Sequence, residues 1–532
     1  MQGREREQRT LLDVEALAGE LLAPGSVFAF LAEHRGRLFP DSMMEDLFGS
    51  KRGRPSVPAS VIGSVLVLQA LHGLSDRETA DALTYDLRWK AACGYGLTDT
   101  AFHPTRLVYW RKRLAASADP HRIMDAVTEV VTATGVLKGR NRRALDSTVL
   151  DDAVARQDTV TQLIAAVRRF GRDVPGGKDL IAAHATGYDY TRAGKPDIAW
   201  DDAQARDELV SVLVNDALAL LAAVDPQQFA ADPDDPEAKG DPKAAEAYAL
   251  LALVAGQDVE PAEGSDGTDG RWKIARKTVK DRVISIVDPD ARHAHKTRRA
   301  LRDGYKAHIV NEPGTGIVTA AAVTKAAGAG SSDAEAGAGL LAADPTVENG
   351  QQVDALGDSA YGTGDMLKAL AAAGHRALVK PKPLAAAIEG GFTIDDFAYD
   401  KAAGTLTCPN GLSRRITAKG RVTFGAACRG CPLQGRCTTA ASGRKIELHP
   451  DHELMRTHRA AARNEDFQSD YKQHRPMVER SIAWLTAGNN RRLRYLGVAK
   501  NDAWFRLRAG AVNLKRLLSL GLTVRDGAWA TA

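Results

Sequence analysis

The sequence predicts an α/β fold with a mixed sheet, preceded by an all-helical N-terminal region, and three observations carry that expectation. Residues 10–120 place apolar side chains at helical spacing. Beyond Lys280, short apolar runs alternate with helical stretches in the order strand, hairpin, helix, strand, helix, strand, the pattern of a mixed sheet covered by helices. Residues 384–465 then interrupt with polar, Gly-rich, strand-like sequence that holds four of the five cysteines. At 532 residues the chain exceeds one hydrophobic core, so several domains are expected. Its 44% hydrophobic and 26% charged residues are those of an ordinary soluble globular protein.

In the N-terminal region, Pro55 to Pro58 opens a helix whose Val61, Ile62, Val65, Leu66, Leu68 and Leu71 mark one wide apolar face. Gly73 stops it. Ser75 starts the next helix, with Glu78 three residues on as a capping box, and Leu83 and Leu87 continue the apolar face. Two helices across a short Gly-containing turn suit a helix-turn-helix, but a plain bundle is the simpler reading. A helix over 123–134 leads through a basic turn to a strand carrying Asp146. Val160, Leu163, Ile164 and Val167 share one helical face, as do Leu209, Leu213, Ala217 and Leu220. The Pro- and Asp-rich residues 225–242 read as a linker, 244–253 as a helix, and 256–270 as a loose acidic stretch.

Strands are expected over 283–287, 305–310 and 317–323, the last two joined by a turn from Asn311 to Gly316. Residues 334–342 read as a helix, 352–356 as a strand leading into Asp358, 365–373 as a helix, and 377–380 as a strand closed by prolines. Two helices, 466–487 and 502–519, finish the chain, the first bearing Glu479.

The net charge of +4 is too small to indicate a partner, but its distribution is informative. Basic residues gather at Lys51–Arg54, Lys138–Arg143, His293–Arg299 and Arg491–Arg494, and acidic ones at Asp232–Glu237 and Glu263–Asp266. A basic run is usually a solvated face, but four runs, two of them near candidate catalytic acids, bring a nucleic-acid contact closer to an even reading. No apolar stretch reaches the length of a membrane span, and the first residues lack a signal-peptide core, so a cytoplasmic protein is expected.

Three acids in three contexts are the candidate chemistry: Asp146 and Asp358 in or at the end of buried strands, and Glu479 on a helix. A buried carboxylate is costly unless it is paired or binds a cation, and a divalent metal pair is the usual remedy for several together. Cys408, Cys428, Cys431 and Cys437 form the second signal. Their Cys-x2-Cys core amid Gly and Pro suits a structural zinc ion, with a 4Fe–4S cluster as the alternative. Cys93 reads as an ordinary buried thiol. His293, His295 and His308 read as DNA-facing or merely exposed, because Lys296, Arg298 and Arg299 would repel a metal. Trp484 could stack on an unpaired base, although packing of its helix is the simpler role.

The chain resembles the DDE transposases of bacterial insertion sequences, in the group with an InsH-like N-terminal domain and a cysteine-rich insertion. The resemblance lies in Gly53–Pro58, Leu71–Thr79, Tyr109–Leu114, Leu145–Val149, Asp288–Ala291, Asp303–His308, Gly357–Gly362 and Arg475–Glu479. It implies a ribonuclease H-like catalytic domain from residues 136–150, 280–383 and 466–520. Residues 1–135 would be a helical DNA-binding domain, 151–279 a helical insertion with an acidic linker, and 384–465 a small metal-binding, β-rich insertion. Asp146, Asp358 and Glu479 would hold Mg2+ (or Mn2+), while Arg54, Arg77, Arg111, Lys112, Arg475, Arg491 and Arg492 would contact DNA. The family's usual Tyr-x2-Arg-x3-Glu-x6-Lys pattern is only partly kept. Tyr471 lies one residue too far from Arg475, and Thr486 stands where a lysine is expected, for which Lys500 or the Arg491–Arg492 pair could substitute.

The implied activity is metal-dependent cleavage of DNA at terminal inverted repeats and strand transfer into target DNA. A homodimer would handle the two ends, in the bacterial cytoplasm and on the nucleoid when bound to DNA, without a membrane. The rival readings are a ribonuclease H-like nuclease without strand transfer and a non-catalytic domesticated DNA-binding protein.

Overall fold

The computed structural model describes residues 1–5, 12–49, 52–229, 240–277, 279, 281–295, 301–348 and 350–531. Lys51, residues 296–299 and the acidic run 232–237 lie outside them. Among the described residues no single helix is long and apolar enough to cross a membrane.

Six helices organise the first part: α1 (Val27–Leu38), α2 (Ala59–His72), α3 (Asp76–Tyr85), α4 (Leu87–Cys93), α5 (Thr105–Ala115) and α6 (Arg122–Thr134). Helix α2 was expected to bury one face, but every residue from Ala59 to Ala70 is buried. A helix apolar all round belongs at the centre of its layer, and α1 and α4 pack against it. Gly73, at φ +64°, ends it in the left-handed conformation that glycine adopts without penalty. The Ser75–Glu78 capping box is present, and the chain turns through 113° between α2 and α3. Leu83 is buried on α3, but Leu87 is 41% exposed. Asp86 caps a new helix at that point, so the apolar face of α3 does not continue.

The central sheet contains β1 (Arg142–Asp151), β2 (Arg292–His295), β3 (Leu301–Asn311), β4 (Val318–Lys325), β5 (Asp354–Gly357) and β6 (Arg376–Val379). Its order is β4–β3–β1–β5–β6, with β2 on the same side of β3 as β4. Strands β4, β3 and β1 pair antiparallel in succession, whereas β5 is parallel to β1 and β6 to β5. The turn at Asn311–Gly316 forms as expected, held by the Glu312 carboxylate, which accepts from the Gly314 and Thr315 amides.

Between β1 and the rest of the sheet, α7 (Thr159–Asp173), α8 (Ala203–Ala222) and α9 (Pro242–Gln257) enclose a separate core. The predicted strand at 283–287 is not a strand. Val283 makes one isolated bridge to Arg292, and three glutamine side chains serve the neighbouring backbone. Gln162 donates to the Val283 carbonyl, while Gln257 and Gln157 accept from the Val283 and Ile286 amides. Conversely, the stretch expected to be loose, 256–270, contains one short strand, Val259–Pro261, which pairs with Trp272–Ile274 just beyond it.

After β4 come α10 (Asp333–Ala342) and α11 (Gly364–Ala372), then, past the cysteines, α12 (His452–Ala461), α13 (Glu465–His474), α14 (Pro476–Thr486) and α15 (Val498–Ser519). The single helix expected over 466–487 is divided at Arg475–Pro476, where proline has no amide to donate back along the helix. Helix α15 covers the edge of β4: Asn513 bonds both the amide and carbonyl of Val318, and Asp502 accepts from the Val323 amide. Arg508 in its middle is buried and donates to the carbonyls of Ala70, Leu71, Trp484 and Leu485. One cation thereby caps the C-terminal ends of α2 and α14, where the backbone dipoles favour positive charge. The N-terminal helices and the sheet share one continuous core.

Candidate active site

Strand register brings the two aspartates together. Parallel pairing of β1 with β5 sets Arg142 opposite Asp354 and Ala144 opposite Leu356. Continued by two places, that register sets Asp146 beside Asp358, at the point where β5 has ended. Parallel neighbours lie roughly 4.8 Å apart and direct equivalent side chains to one face. Asp146 is in the middle of β1, rather than at its end, because β1 runs on against β3 to Asp151. Asp358 accepts from the Ala360 amide at 2.8 Å, which holds its carboxylate in the turn before α11.

Arg475, at the break between α13 and α14, joins the third acid to the pair. Its Nη2 lies 3.0 Å from Asp146 Oδ1, and its Nη1 lies 3.9 Å from Glu479 Oε1. The guanidinium is 7% exposed, and its Nε and Nη1 have no hydrogen-bond partner. Burial pushes the Asp146 carboxyl above its ordinary range against the pull of Arg475, and the neighbouring Asp358 adds to the rise. Burial opposes the charge on Arg475 too, but Asp146 and Asp358 outweigh it and keep the guanidinium protonated. Glu479 is 69% exposed at the rim. The three acids do not all converge within 4.8 Å, and two ions about 3.5–4 Å apart would not require it. An all-oxygen donor set with a surplus of negative charge fits hard divalent cations.

Two tyrosines belong to this cluster. Tyr471 lies beside Arg475, its phenol pushed up first by burial and also by Asp358, so the one-residue offset does not remove it from the site. Tyr361, within the Asp358 motif, is buried with its hydroxyl unpaired, and burial, Asp333, Asp146 and Asp358 together raise its pKa. Its ring fits because Gly337 leaves room, a Cβ there falling 2.6 Å from the ring. Asp288 and Tyr305, also from the quoted motifs, are structural. The Tyr305 hydroxyl donates to buried Asp288, which also accepts from the Gly497 amide ahead of α15.

The expected DNA contacts divide into two groups. Arg54, Arg77, Lys112 and Arg492 are exposed. Arg111 is instead paired with Asp76, and Arg475 is turned inward. Arg491 donates to Thr148 Oγ1 at 3.2 Å and to Thr486 Oγ1 at 3.4 Å, so it, rather than Lys500, reaches the position where a lysine was missing. Within the Lys138–Arg143 run, Arg143 is buried against Asp344. His308 is buried, not exposed, between Thr324 and Asp333, since its side of β3 faces α10. His293 pairs with Asp303. Trp484 packs on the main core, with Arg516 over its ring at 5.6 Å. Cys93 is fully buried, and burial pushes its thiol up to about 12.

Cys408, Cys428, Cys431 and Cys437 line one cavity of about 30 Å³, beside a small core built on Phe397, Leu406, Val422 and Phe424. Burial raises the Cys437 thiol, Arg444 opposes the rise, and the other three thiols reinforce it. Zinc–sulfur bonds of about 2.3 Å put the sulfurs of a closed tetrahedral site about 3.8 Å apart. Among the described residues, the one set of three or more possible ligand atoms within 4.8 Å of one another is Asp365, His449 and Asp451. No three of these sulfurs are therefore that close, and the arrangement does not fit one zinc ion.

A family model described as a transposase DDE domain matches residues 407–518, which include the four cysteines, Arg475, Glu479 and Arg491. A second, described as a transposase domain (DUF772), matches residues 30–113 in the N-terminal helices. Residues 114–406, with Asp146 and Asp358, fall between the two matches. No curated protein and no solved structure matches the chain. Two transposase models in succession, one over the N-terminal helices and one over the helix bearing Glu479, support an insertion-sequence DDE transposase.

Proposed function

We propose that this transposase cleaves DNA at the ends of its element and joins them to target DNA, using divalent metal held by Asp146, Asp358 and Glu479. The observation that carries the reading is the β1–β5 register, which sets Asp146 and Asp358 side by side with Arg475 bridging toward Glu479. The sheet order β4–β3–β1–β5–β6, three antiparallel strands followed by two parallel ones, supports a ribonuclease H-like core. On this reading residues 136–150, 280–383 and 466–520 form the catalytic domain, 1–135 the DNA-binding domain, 151–279 a helical insertion, and 384–465 a cysteine-rich insertion stapled by a metal centre. The enzyme would act in the cytoplasm, as a dimer on paired element ends.

Bound Mg2+ or Mn2+ would activate first water and then the freed 3′-hydroxyl, and offset charge on the leaving oxygen. The protein's own residues prepare that chemistry. Asp146 is fixed within β1, and Asp358 directly follows β5 with its carboxylate held by the Ala360 amide. Tyr361 is buried near them, and Arg475 holds positive charge against Asp146 with two donors still unspent. Those donors suit a phosphate oxygen at the carboxylates, and exposed Arg492 and Lys112 offer contacts along the backbone. Incubation of the full chain with a labelled duplex bearing its element end, Mg2+ and a target plasmid tests the reading. Nicked ends and joined products are expected. Nicking without joining would leave a nuclease, and neither reaction would leave a DNA-binding protein.

A further inference from the structure

The geometry points to an iron–sulfur cluster, rather than a zinc ion, as the occupant of the cavity between Cys408, Cys428, Cys431 and Cys437. The inference rests on reading these thiols as a metal centre and narrows what that centre is. Two observations favour a group larger than one ion. The sulfurs are too dispersed for a tetrahedron around zinc, as no three lie within 4.8 Å of one another. A four-iron cluster is held by four cysteine thiolates, one on each iron, and so would take sulfurs spread wider than the ligands of one ion. The enclosed space gives the same answer. A single ion in contact with four sulfurs leaves no room for even one water, whereas this cavity of about 30 Å³ exceeds the roughly 10–15 Å³ that one water requires.

The surroundings suit a cluster. The Arg444 amide donates to Cys428 Sγ at 3.4 Å, the kind of N–H to sulfur bond that stabilises thiolates on iron. The Arg444 guanidinium bonds the Cys437 carbonyl, which places a cation beside the net negative charge of four thiolates on a cluster. Phe392, Phe397 and Phe424 line the cavity and limit the approach of water. Four thiols release their protons to solvent and ligate one iron each. In assembly from four ferric ions and four sulfides, the thiol reductant supplies the two electrons that bring the irons to the mixed-valent core and is itself oxidised to its disulfide.

The test uses the full chain, purified without oxygen and then incubated with ferric iron, sulfide and a thiol reductant. About four irons and four sulfides per chain, with a broad absorption near about 400 nm, are expected. The Cys431→Ser variant should lose most of that absorption, while Cys93→Ser, remote from the cavity, should keep it. Should Cys431→Ser not fold, the iron and sulfide content of the parent decides alone. A colourless parent chain that retains one zinc and takes up no iron overturns the cluster but keeps a metal centre. A folded parent that binds neither metal overturns both, and neither result bears on DNA cleavage by the carboxylates.

Discussion

The carboxylate cluster and the thiol cluster solve the same problem, convergence of like groups, from opposite directions. Asp146, Asp358 and Arg475 come from distant parts of the chain and meet because a sheet and a broken helix place them. They rest on the largest core of the molecule and on the smaller one across the sheet. The four thiols come from one short segment, beside a core of six buried residues and strands of three residues each. The first site would keep its shape without its ions, since register and packing set it. The second depends on its occupant, because so little apolar surface is buried there. Preorganisation by the fold suits chemistry, and closure by a bound group suits structure.

The largest test of that contrast is at the carboxylates. Asp146→Asn and Asp358→Asn preserve shape but remove charge, so cleavage should fall on the order of a thousand-fold or more while the fold and DNA affinity stay within a few-fold. Single-turnover nicking beside a binding titration checks this. A variant that nicks at near-normal rate removes that residue from the metal site.

Arg475→Ala should cost roughly ten- to a thousand-fold in nicking rate at saturating DNA, and Arg480→Ala far less. Arg475 is buried on Asp146, whereas Arg480 is exposed on the other side of α14. Equal losses would mean that burial of Arg475 is incidental to the chemistry.

In the cysteine-rich region, Phe397→Ala removes a fully buried ring and should cost that region about 3–5 kcal/mol. Hydrogen exchange should rise across residues 397–448 when the metal centre is stripped or the ring is removed, with β1 and β3 unchanged. Exchange that rises equally in the sheet would show that the two regions fold as one unit.

The smallest effect should be acid sensitivity at His308. Burial lowers its pKa to about 4, against about 6.5 in an unfolded chain. Between those values the unfolded state binds a proton that the folded state refuses, so stability falls as pH drops from about 6.5 toward 4. His308→Gln should flatten that dependence in urea melts at pH 7 and pH 5. An unchanged slope would place the acid sensitivity elsewhere.

Local signals and their failures separate cleanly along this chain. The Ser75–Glu78 box, the Gly73 stop, the Asn311–Gly316 turn and the strands around 305–310 and 317–323 were legible because a few adjacent residues determine them. The order of strands and helices likewise announced a mixed sheet, local context and the family resemblance singled out the acids, and cysteine spacing singled out the thiols. Tertiary structure alone decided the rest. Val283–Val287 has the composition of a strand, but glutamines from α7, α9 and the loop before α7 take its backbone bonds. His308 and Arg143 look like surface cations in sequence, yet are buried because Asp333 and Asp344 meet them there. Arg475 was expected to reach a phosphate or to neutralise Glu479 on its own helix, and its guanidinium also turns inward to Asp146, which helical spacing does not foretell. Periodicity reports the conformation a segment prefers and which face is apolar, whereas the partners of a polar group come from residues far away in the chain. That is why the elements of this protein were readable from its sequence, and why the company its charges keep was not.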